Sequence, residues 1–337
     1  MYKKTKFFIG ESPNKNMKLN LCIDGNYLMQ KSVFVLYKLR NLYTDLPIIL
    51  ERDYNTISNL FYFSKIYFIS DSRTNWRKKF YTGYKGTRKK NDSIDWNTVY
   101  EIYEEFKNGL NKKRNCEVHQ IEYLEGDDII SYVMKETNKK GYSNLLIAND
   151  SDLFQLLHYD KVNKYINFMY NFKFSDETIY LPQLYNSFLE SVEGTNIDDL
   201  FGDSGSDSEF VEFMRTLTTT KKVKEVDCEQ ELFGKILGHN KDNIKSIYMK
   251  GNRGIGKAGG VKVYDFYKET YPEIIDFNSN LFKERIIETV KYYKKLKNND
   301  MDESMMKKLN MNLKLVKLDK KSTPSKLYEQ MEDVINI

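Results

Sequence analysis

Short apolar runs alternate with longer amphipathic ones through the first half of the chain. Lys18–Ile23, Lys65–Ser70, Cys116–Ile121 and Asn144–Ala148 are compact and rich in Ile, Leu, Val, Tyr or Phe, which predicts buried strands. Between them, Leu46–Phe63, Asp95–Lys112 and Glu125–Lys139 carry helical spacing, and Asp95 is placed to cap the second. This alternation predicts an α/β fold, a parallel sheet with helices on both faces. Val162–Phe168 and Asn171–Phe174 predict a further strand or an edge hairpin. Helical patterning resumes at Glu229–Leu237, Gly259–Glu269 and Leu281–Lys297, and the Lys- and Met-rich last forty residues also read as helical. No internal repeat interrupts the pattern.

The chain has 337 residues, of which 40% are hydrophobic, enough for one large or two modest cores. No run approaches the roughly 18 apolar residues of a membrane helix, and Phe7–Gly10 is too short for a secretory signal. The three cysteines, Cys22, Cys116 and Cys228, are too few and too scattered for a disulfide framework or a zinc cluster. These features predict a soluble protein of a reducing compartment, the cytoplasm.

Net charge is only +5, but the charges are segregated. From Ser72 to Asn91 there are eight basic residues and no acid, whereas Phe174 to Met214 holds ten acids and no base. Such a division suggests that one surface meets a polyanion. The acidic stretch, which includes Gly202–Ser208, reads as a solvated insertion or linker. The domain boundary is expected within it, between residues 176 and 228.

Three predicted strands run into an acid: Leu19–Ile23 into Asp24, Ile66–Ser70 into Asp71, and Leu145–Asn149 into Asp150 with Asp152 close behind. A fourth group, Glu125, Asp127 and Asp128, opens a helix soon after Cys116–Ile121. In a parallel sheet these strand ends share one edge, where ligands bind. Seven carboxylates gathered there cannot all stay ionised without cations. An oxygen-only donor set points to Mg²⁺, with Mn²⁺ as a substitute, rather than zinc. Two ions about 4 Å apart would suit a phosphoryl displacement. Each acid has a plainer alternative. Asp24 before Gly25-Asn26 could form a turn, Glu125–Asp128 could cap a helix, and Asp150-Ser-Asp152 could be an N-cap. Those alternatives do not predict acids at four successive strand exits.

Directly after Asp71 comes Trp76-Arg-Lys-Lys-Phe-Tyr-Thr-Gly-Tyr-Lys-Gly-Thr-Arg88, in which bases alternate with aromatics. Basic side chains neutralise phosphates and aromatic faces stack on bases, so Arg77, Lys78, Tyr84, Lys85 and Arg88 are candidates for nucleic-acid contact. On a helix, Lys85 and Arg88 would share a face.

Taken together, these motifs resemble the phage and bacterial 5′ nuclease/flap endonuclease family, in particular its T-even phage ribonuclease H branch. The matching stretches are Cys22-Ile-Asp24, Ile69-Ser-Asp71, Trp76-Arg77, Tyr84-Lys85-x-x-Arg88, Glu125-Gly-Asp127-Asp128 and Asn149-Asp150-Ser-Asp152. Gly238-His-Asn-Lys-Asp242-Asn243 and Gly251–Gly260 follow in the last third. The resemblance implies a Rossmann-like (PIN-like) nuclease domain over residues 1–175, with a helical arch near 72–92. The acidic insertion would then span 176–228, before a helical DNA-binding region over 229–337. It also implies a first Mg²⁺ on Asp24, Asp71, Glu125 and Asp127 with Asp128 adjacent, and a second on Asp150, Asp152 and Asp242. Lys85 and Arg88 would contact the scissile phosphate, with Tyr84 stacked on the terminal base. The implied activity is metal-dependent hydrolysis of phosphodiesters of RNA primers or DNA 5′ ends during replication, leaving a 5′-phosphate. Implied partners are DNA and RNA–DNA duplexes with 5′ ends or flaps, and replication proteins such as a single-strand-binding protein or clamp. The protein would be a monomer in the cytoplasm, the host's if the chain is phage-encoded.

One position departs from the family pattern. His239 stands where a carboxylate is usual, and is either an ordinary surface histidine or a residue that still binds Mn²⁺ or a water. The loss of charge motivates an alternative, a catalytically weakened nucleic-acid-binding relative. The glycine loop Gly251–Gly260 also allows three readings. Ala258 stands where a P-loop needs Ser or Thr, and a dinucleotide fingerprint should open a βαβ unit. The third reading, supported by the resemblance, is a helix–hairpin–helix contact in which Gly254, Gly256 and Lys257 grip a duplex phosphate.

Overall fold

A computed structural model describes residues 18–39, 41–89, 91–113, 115–160, 162–163, 165–173, 177–183, 206–250, 253–273, 275–296 and 302–337, with backbone alone for 206–212. Two compact units emerge, one of residues 1–74, 91–226 and 330–337, the other of 75–90 and 227–329.

The first unit is built on an eight-stranded sheet. Its strands are β1 (Leu19–Asp24), β2 (Ile66–Ile69), β3 (Cys116–His119), β4 (Ser143–Ile147), β5 (His158–Asp160), β6 (Tyr165–Asn171), β7 (Thr178–Pro182) and β8 (Lys222–Val226). The order is β3-β2-β1-β4-β6-β7-β8, with β5 against β6. Strands β3, β2, β1, β4 and β6 run parallel, and β7 is antiparallel to β6. Helices α1 (Gly25–Leu39), α2 (Leu42–Ser58), α4 (Trp96–Leu110), α5 (Gly126–Lys139) and α6 (Ser206–Thr220) belong to this unit, and α3 (Trp76–Phe80) to the other. Side chains alternate along β1, so Leu19, Leu21 and Ile23 join one core with Leu28, Val33 and Leu46. Cys22 points to the opposite face, and α5 packs against β1, β2 and β4. Parallel strands covered in this way are buried and mostly apolar, as β1, β2 and β4 are, and the buried Asn144 of β4 is satisfied by a hydrogen bond to Asn167.

The second unit packs α7 (Cys228–Leu237), α8 (Lys257–Thr270), α9 (Asn280–Lys294) and α10 (Asp302–Val316) around Phe233, Ile236, Val263, Ile286 and Leu309. A last helix, α11, covers Ser325–Val334.

Several sequence expectations change. The run after Asp24 is not a turn but the start of α1, an element the pattern of the chain did not reveal. The strand expected over Val162–Phe168 is Tyr165–Asn171, because Asp160 accepts hydrogen bonds from the backbone N–H groups of Val162 and Asn163 and turns the chain there. The expected 176–228 linker contributes β7, α6 and β8, so the first unit runs to Val226 rather than to residue 175. Residues 184–205, with most of the Gly202–Ser208 stretch, and the N-terminal Phe7–Gly10 lie outside the described residues. The segment expected as a helical arch holds one five-residue helix, α3, followed by turns over 82–87.

Candidate metal centre

The sheet register brings three acids to one edge. Asp24 pairs with Ile69, two residues before Asp71, and Ile23 pairs with Ile147, three residues before Asp150. Strand order reverses between β1 and β4, the point at which open α/β sheets bind ligands. Asp24 and Asp150 therefore flank the switch point.

Asp71 is held on several sides. Its Oδ1 accepts the backbone N–H of Gly126 at 2.7 Å and its Oδ2 accepts Nδ2 of Asn26 at 2.8 Å. Its backbone N–H donates back to Oδ1 of Asn26 at 3.1 Å, and its carbonyl accepts Gln120 Nε2 at 2.8 Å. Gly126 eases this approach, because a Cβ there would press on Asp71 Oδ1 at 3.1 Å. Behind the edge, Ser70 and Tyr103 share a buried hydroxyl–hydroxyl hydrogen bond of 2.6 Å.

Asp24 accepts the Tyr27 N–H at 2.9 Å, at the positive end of α1. Burial and then the charge of Asp71 nonetheless raise its pKa to about 7, with Asp150 adding to the effect and the Tyr27 and Asn26 N–H groups opposing it. These carboxylates therefore carry more negative charge than their surroundings neutralise. An all-oxygen donor set under mutual repulsion fits a hard divalent cation.

The other acids of this unit have local partners. Glu125 and Asp128 form a capping box on α5, in which Asp128 Oδ2 accepts the Glu125 N–H at 3.2 Å. Asp128, 3% exposed, is thereby a helix cap. Asp127 lies half-buried in the first turn of α5. Asp150 caps the 3₁₀ helix Ser151–Leu156 by accepting the Asp152 N–H at 3.1 Å. The plainer readings of Glu125, Asp128 and Asp150 are thus realised, without removing Asp150 from the charge that Asp24 experiences.

In the second unit, Asp242 is 2% exposed and accepts a 2.6 Å ion pair from Arg88. His239 Nδ1 stands 3.5 Å from its other oxygen, and the Lys85 backbone N–H donates to the Asp242 carbonyl at 2.9 Å. Burial pulls the Asp242 pKa up, but the His239 hydrogen bond and the charges of Lys85 and Arg88 outweigh it, so it falls to about 2. Lys85 has a left-handed backbone, φ 53°, and Asn243 likewise, φ 56°. Asn243 Nδ2 donates to the Gly83 carbonyl at 2.9 Å, which ties the two turns together. Lys85 and Arg88 therefore meet Asp242 through turns and not along a helix face.

Two expected nucleic-acid contacts are instead core residues. Tyr84 is 4% exposed within the cluster of Phe233, Ile244 and Ile247, so its ring offers no face to a terminal base. Arg77 is 1% exposed, donates Nε–H to the Leu315 carbonyl at 2.9 Å and lies over the Trp76 ring at 4.5 Å. Lys78 is exposed. Gly256 caps α8, and a Cβ at Gly254 would meet Ser246 Cβ at 2.5 Å, so Gly254 serves a close approach of two chain segments. Lys257, largely exposed, pairs with Glu231 at 3.3 Å. A bend and an isolated bridge between Lys250 and Arg253 precede Gly256, where a P-loop or dinucleotide site needs a strand. Gly251 and Asn252 lie outside the described residues. Sequence reasoning missed Asn26, Gln120 and Tyr103, and only the Gly-Asn dipeptide after a strand-ending Asp signalled the first.

Known proteins bear on this arrangement. Residues 20–182 match the family model "5′-3′ exonuclease, N-terminal resolvase-like domain". No curated protein sequence matches the chain. Among solved structures, a T5 protein co-crystallised with metal ions is similar, at 14% identity and a TM-score of 0.53 over 94% of this chain and 97% of that one. The T5 5′-exonuclease with zinc bound is similar at 15% identity and a TM-score of 0.53, with the same coverage. So is the bacteriophage T5 flap endonuclease in a pseudo-enzyme-product complex with DNA and metal ions, again at 15% and 0.53 over 94% and 97% of the two chains. At such identities the likeness to the T5 structures is one of fold. Residues 20–182 thus match the 5′-3′ exonuclease N-terminal resolvase-like domain family, within a chain whose α/β sheet and C-terminal helices share the fold of the T5 exonuclease.

Proposed function

We propose that this protein is a divalent-metal-dependent 5′ nuclease of the exonuclease/flap endonuclease kind, acting on DNA or RNA–DNA duplexes with 5′ ends or flaps during replication. The observation that carries the reading is the convergence of Asp24, Asp71 and Asp150 at the sheet's switch point, with Asp24 raised to about 7 by burial and by its acidic neighbours. Asp24 and Asp71 would hold a cation there with Glu125 and Asp127, and Asp150 and Asp152 would contribute to a second cation site at the same sheet edge. Bound divalent cations, Mg²⁺ foremost, would supply the Lewis acidity that activates water and stabilises charge on the cleaved phosphodiester. The T5 relatives were crystallised with metal ions, and one of them with DNA, which supports this reading.

The protein's own groups have further roles in it. Lys85 and Arg88 present two cations from adjacent turns and would bind the non-bridging oxygens of the phosphate. Arg88 is 46% exposed although it pairs with Asp242, so it can reach a ligand without losing its anchor. The ribonuclease H-type preference for RNA primers and contacts with a clamp or single-strand-binding protein are finer parts of the same proposal. Among the described residues, no helix is long and apolar enough to cross a membrane.

The test is cleavage of a 5′-labelled flap duplex in Mg²⁺, Mn²⁺ or EDTA by the wild type and Asp150→Asn. Metal-dependent cleavage that collapses in the variant supports the reading. Duplex binding without cleavage in every metal condition replaces it with that of a nucleic-acid-binding relative.

A further inference from the structure

Asn26 lies at the second position of α1, between two strand exits. Its backbone N–H and that of Tyr27 face Asp24, the residue that ends β1. Its side-chain amide turns the other way and meets Asp71, 45 residues on, through two hydrogen bonds of 2.8 and 3.1 Å. The orientation of the amide is determined by its partners. A backbone N–H can only donate and a carboxylate can only accept, so Oδ1 must face Asp71 N and Nδ2 must face Asp71 Oδ2. The same amide therefore grips both the main chain and the carboxylate of one acid, while Gly126 N–H holds the other carboxylate oxygen at 2.7 Å.

We infer that Asn26 is a positioning residue for the metal centre: it fixes the Asp71 carboxylate in one rotamer beside Asp24, against the repulsion of the two charges. Left unclamped, Asp71 would lower its energy by rotating away from its acidic neighbours. Asn26 Nδ2 on one oxygen and the Gly126 N–H on the other hold the carboxylate from both sides. Few other side chains can replace Asn26. Asp would set oxygen against oxygen, Ser is too short to bridge both atoms, and Gln carries the same amide on a longer, looser stem. The inference rests on the metal-nuclease reading of the same site, and its test separates the two.

The experiment uses the full chain as wild type, Asn26→Ala, Asn26→Gln and Asp71→Asn. Mn²⁺ affinity is measured by calorimetry without nucleic acid, and kcat and KM on a flap duplex are measured beside melting temperature. Loss of such an orienting partner typically weakens metal binding or activity about 10–100-fold. Asn26→Ala should lose Mn²⁺ affinity and kcat on that scale, with KM within about threefold of wild type, and Asn26→Gln should recover part of both. Unchanged Mn²⁺ affinity and kcat in Asn26→Ala overturn the inference, as does a loss that appears only in KM or melting temperature. Should Asn26→Ala not fold, Asn26→Gln is judged by the same criteria. Wild type that binds Mn²⁺ but cleaves nothing sinks the nuclease reading, while calorimetry still decides the clamp. Wild type that binds no Mn²⁺ overturns both.

Discussion

Arg88 and Asp242 form a 2.6 Å ion pair in which the carboxylate is buried and the guanidinium is half open to solvent. Removing the arginine leaves a buried charge with fewer partners, which costs more than an exposed pair would contribute. Arg88→Met should therefore destabilise the protein by roughly 1–3 kcal/mol in urea denaturation. The pKa of Asp242 is lowered in the folded state, to about 2. Its stabilisation is present above the unfolded value near 3.8 and fades as pH falls towards 2. The acid dependence of stability should therefore be shallower in Asp242→Asn than in wild type, and equal slopes between pH 4 and 2 would contradict the pairing.

Asp24 has the opposite sign. Its folded pKa, about 7, exceeds the model-compound value of 3.8, so the protonated carboxyl is favoured by folding. Stability from this group is fullest below pH 3.8 and is lost as pH rises through 7. In EDTA, Asp24→Asn should be more stable than wild type at pH 8, by roughly 1–4 kcal/mol, with the difference shrinking towards pH 4. Mg²⁺ should raise the melting temperature of wild type more than that of the variant. A variant less stable than wild type at pH 8 would argue against a repulsive acidic cluster.

Lys85 occupies the left-handed region at φ 53°, where a non-glycine residue stores about 1–3 kcal/mol. Glycine has no such penalty. Lys85→Gly should raise stability by up to about 1 kcal/mol while cleavage of a flap duplex falls by at least tenfold. Lys85→Ala should lose cleavage without the gain in stability, since the backbone strain stays. Equal melting temperatures for the Gly and Ala variants would remove the strain argument.

Tyr84 is expected to behave as a core residue. Tyr84→Ala should cost about 3–5 kcal/mol, and Tyr84→Phe under about 1.5 kcal/mol, because only a hydroxyl is lost. A Tyr84→Ala variant with unchanged stability and a raised KM for a flap substrate would instead restore the stacking role expected from the sequence.

Local signals were legible wherever neighbouring residues decide the structure. The runs that end at Asp24, Asp71 and Asp150 identified β1, β2 and β4 to within a residue or two, because a parallel strand buried on both faces is dominated by apolar residues. Asp95 capped α4 as expected, by accepting the N–H groups of Asn97 and Thr98. Helix α1 was hidden because Gly25-Asn26 resembles a turn. A Cβ at Gly25 would collide with Tyr103 Oη at 2.3 Å, so this glycine answers to a distant tyrosine and not to a chain reversal. The acidic stretch was misjudged for a related reason: β7 and β8 pair with each other in parallel across more than thirty intervening residues, and no local pattern announces such a partner.

The amino-acid sequence by itself determined the alternation of strands and helices, the acids at the strand exits and the presence of a basic, aromatic segment. Those properties follow from periodicity, composition and nearest neighbours. Tertiary structure alone decided which of these residues gather at the sheet edge or stay open to solvent and which are buried to hold the fold. Tyr84 and Arg77 share a segment with Lys85 and Arg88, yet the first two are buried, and Arg77 answers to a carbonyl 238 residues away. Asp71 and Asn26 are 45 residues apart in sequence and share two hydrogen bonds in the fold. Side-chain burial and hydrogen-bond partners depend on which distant segments pack together, and that information exists only once the chain has closed on itself.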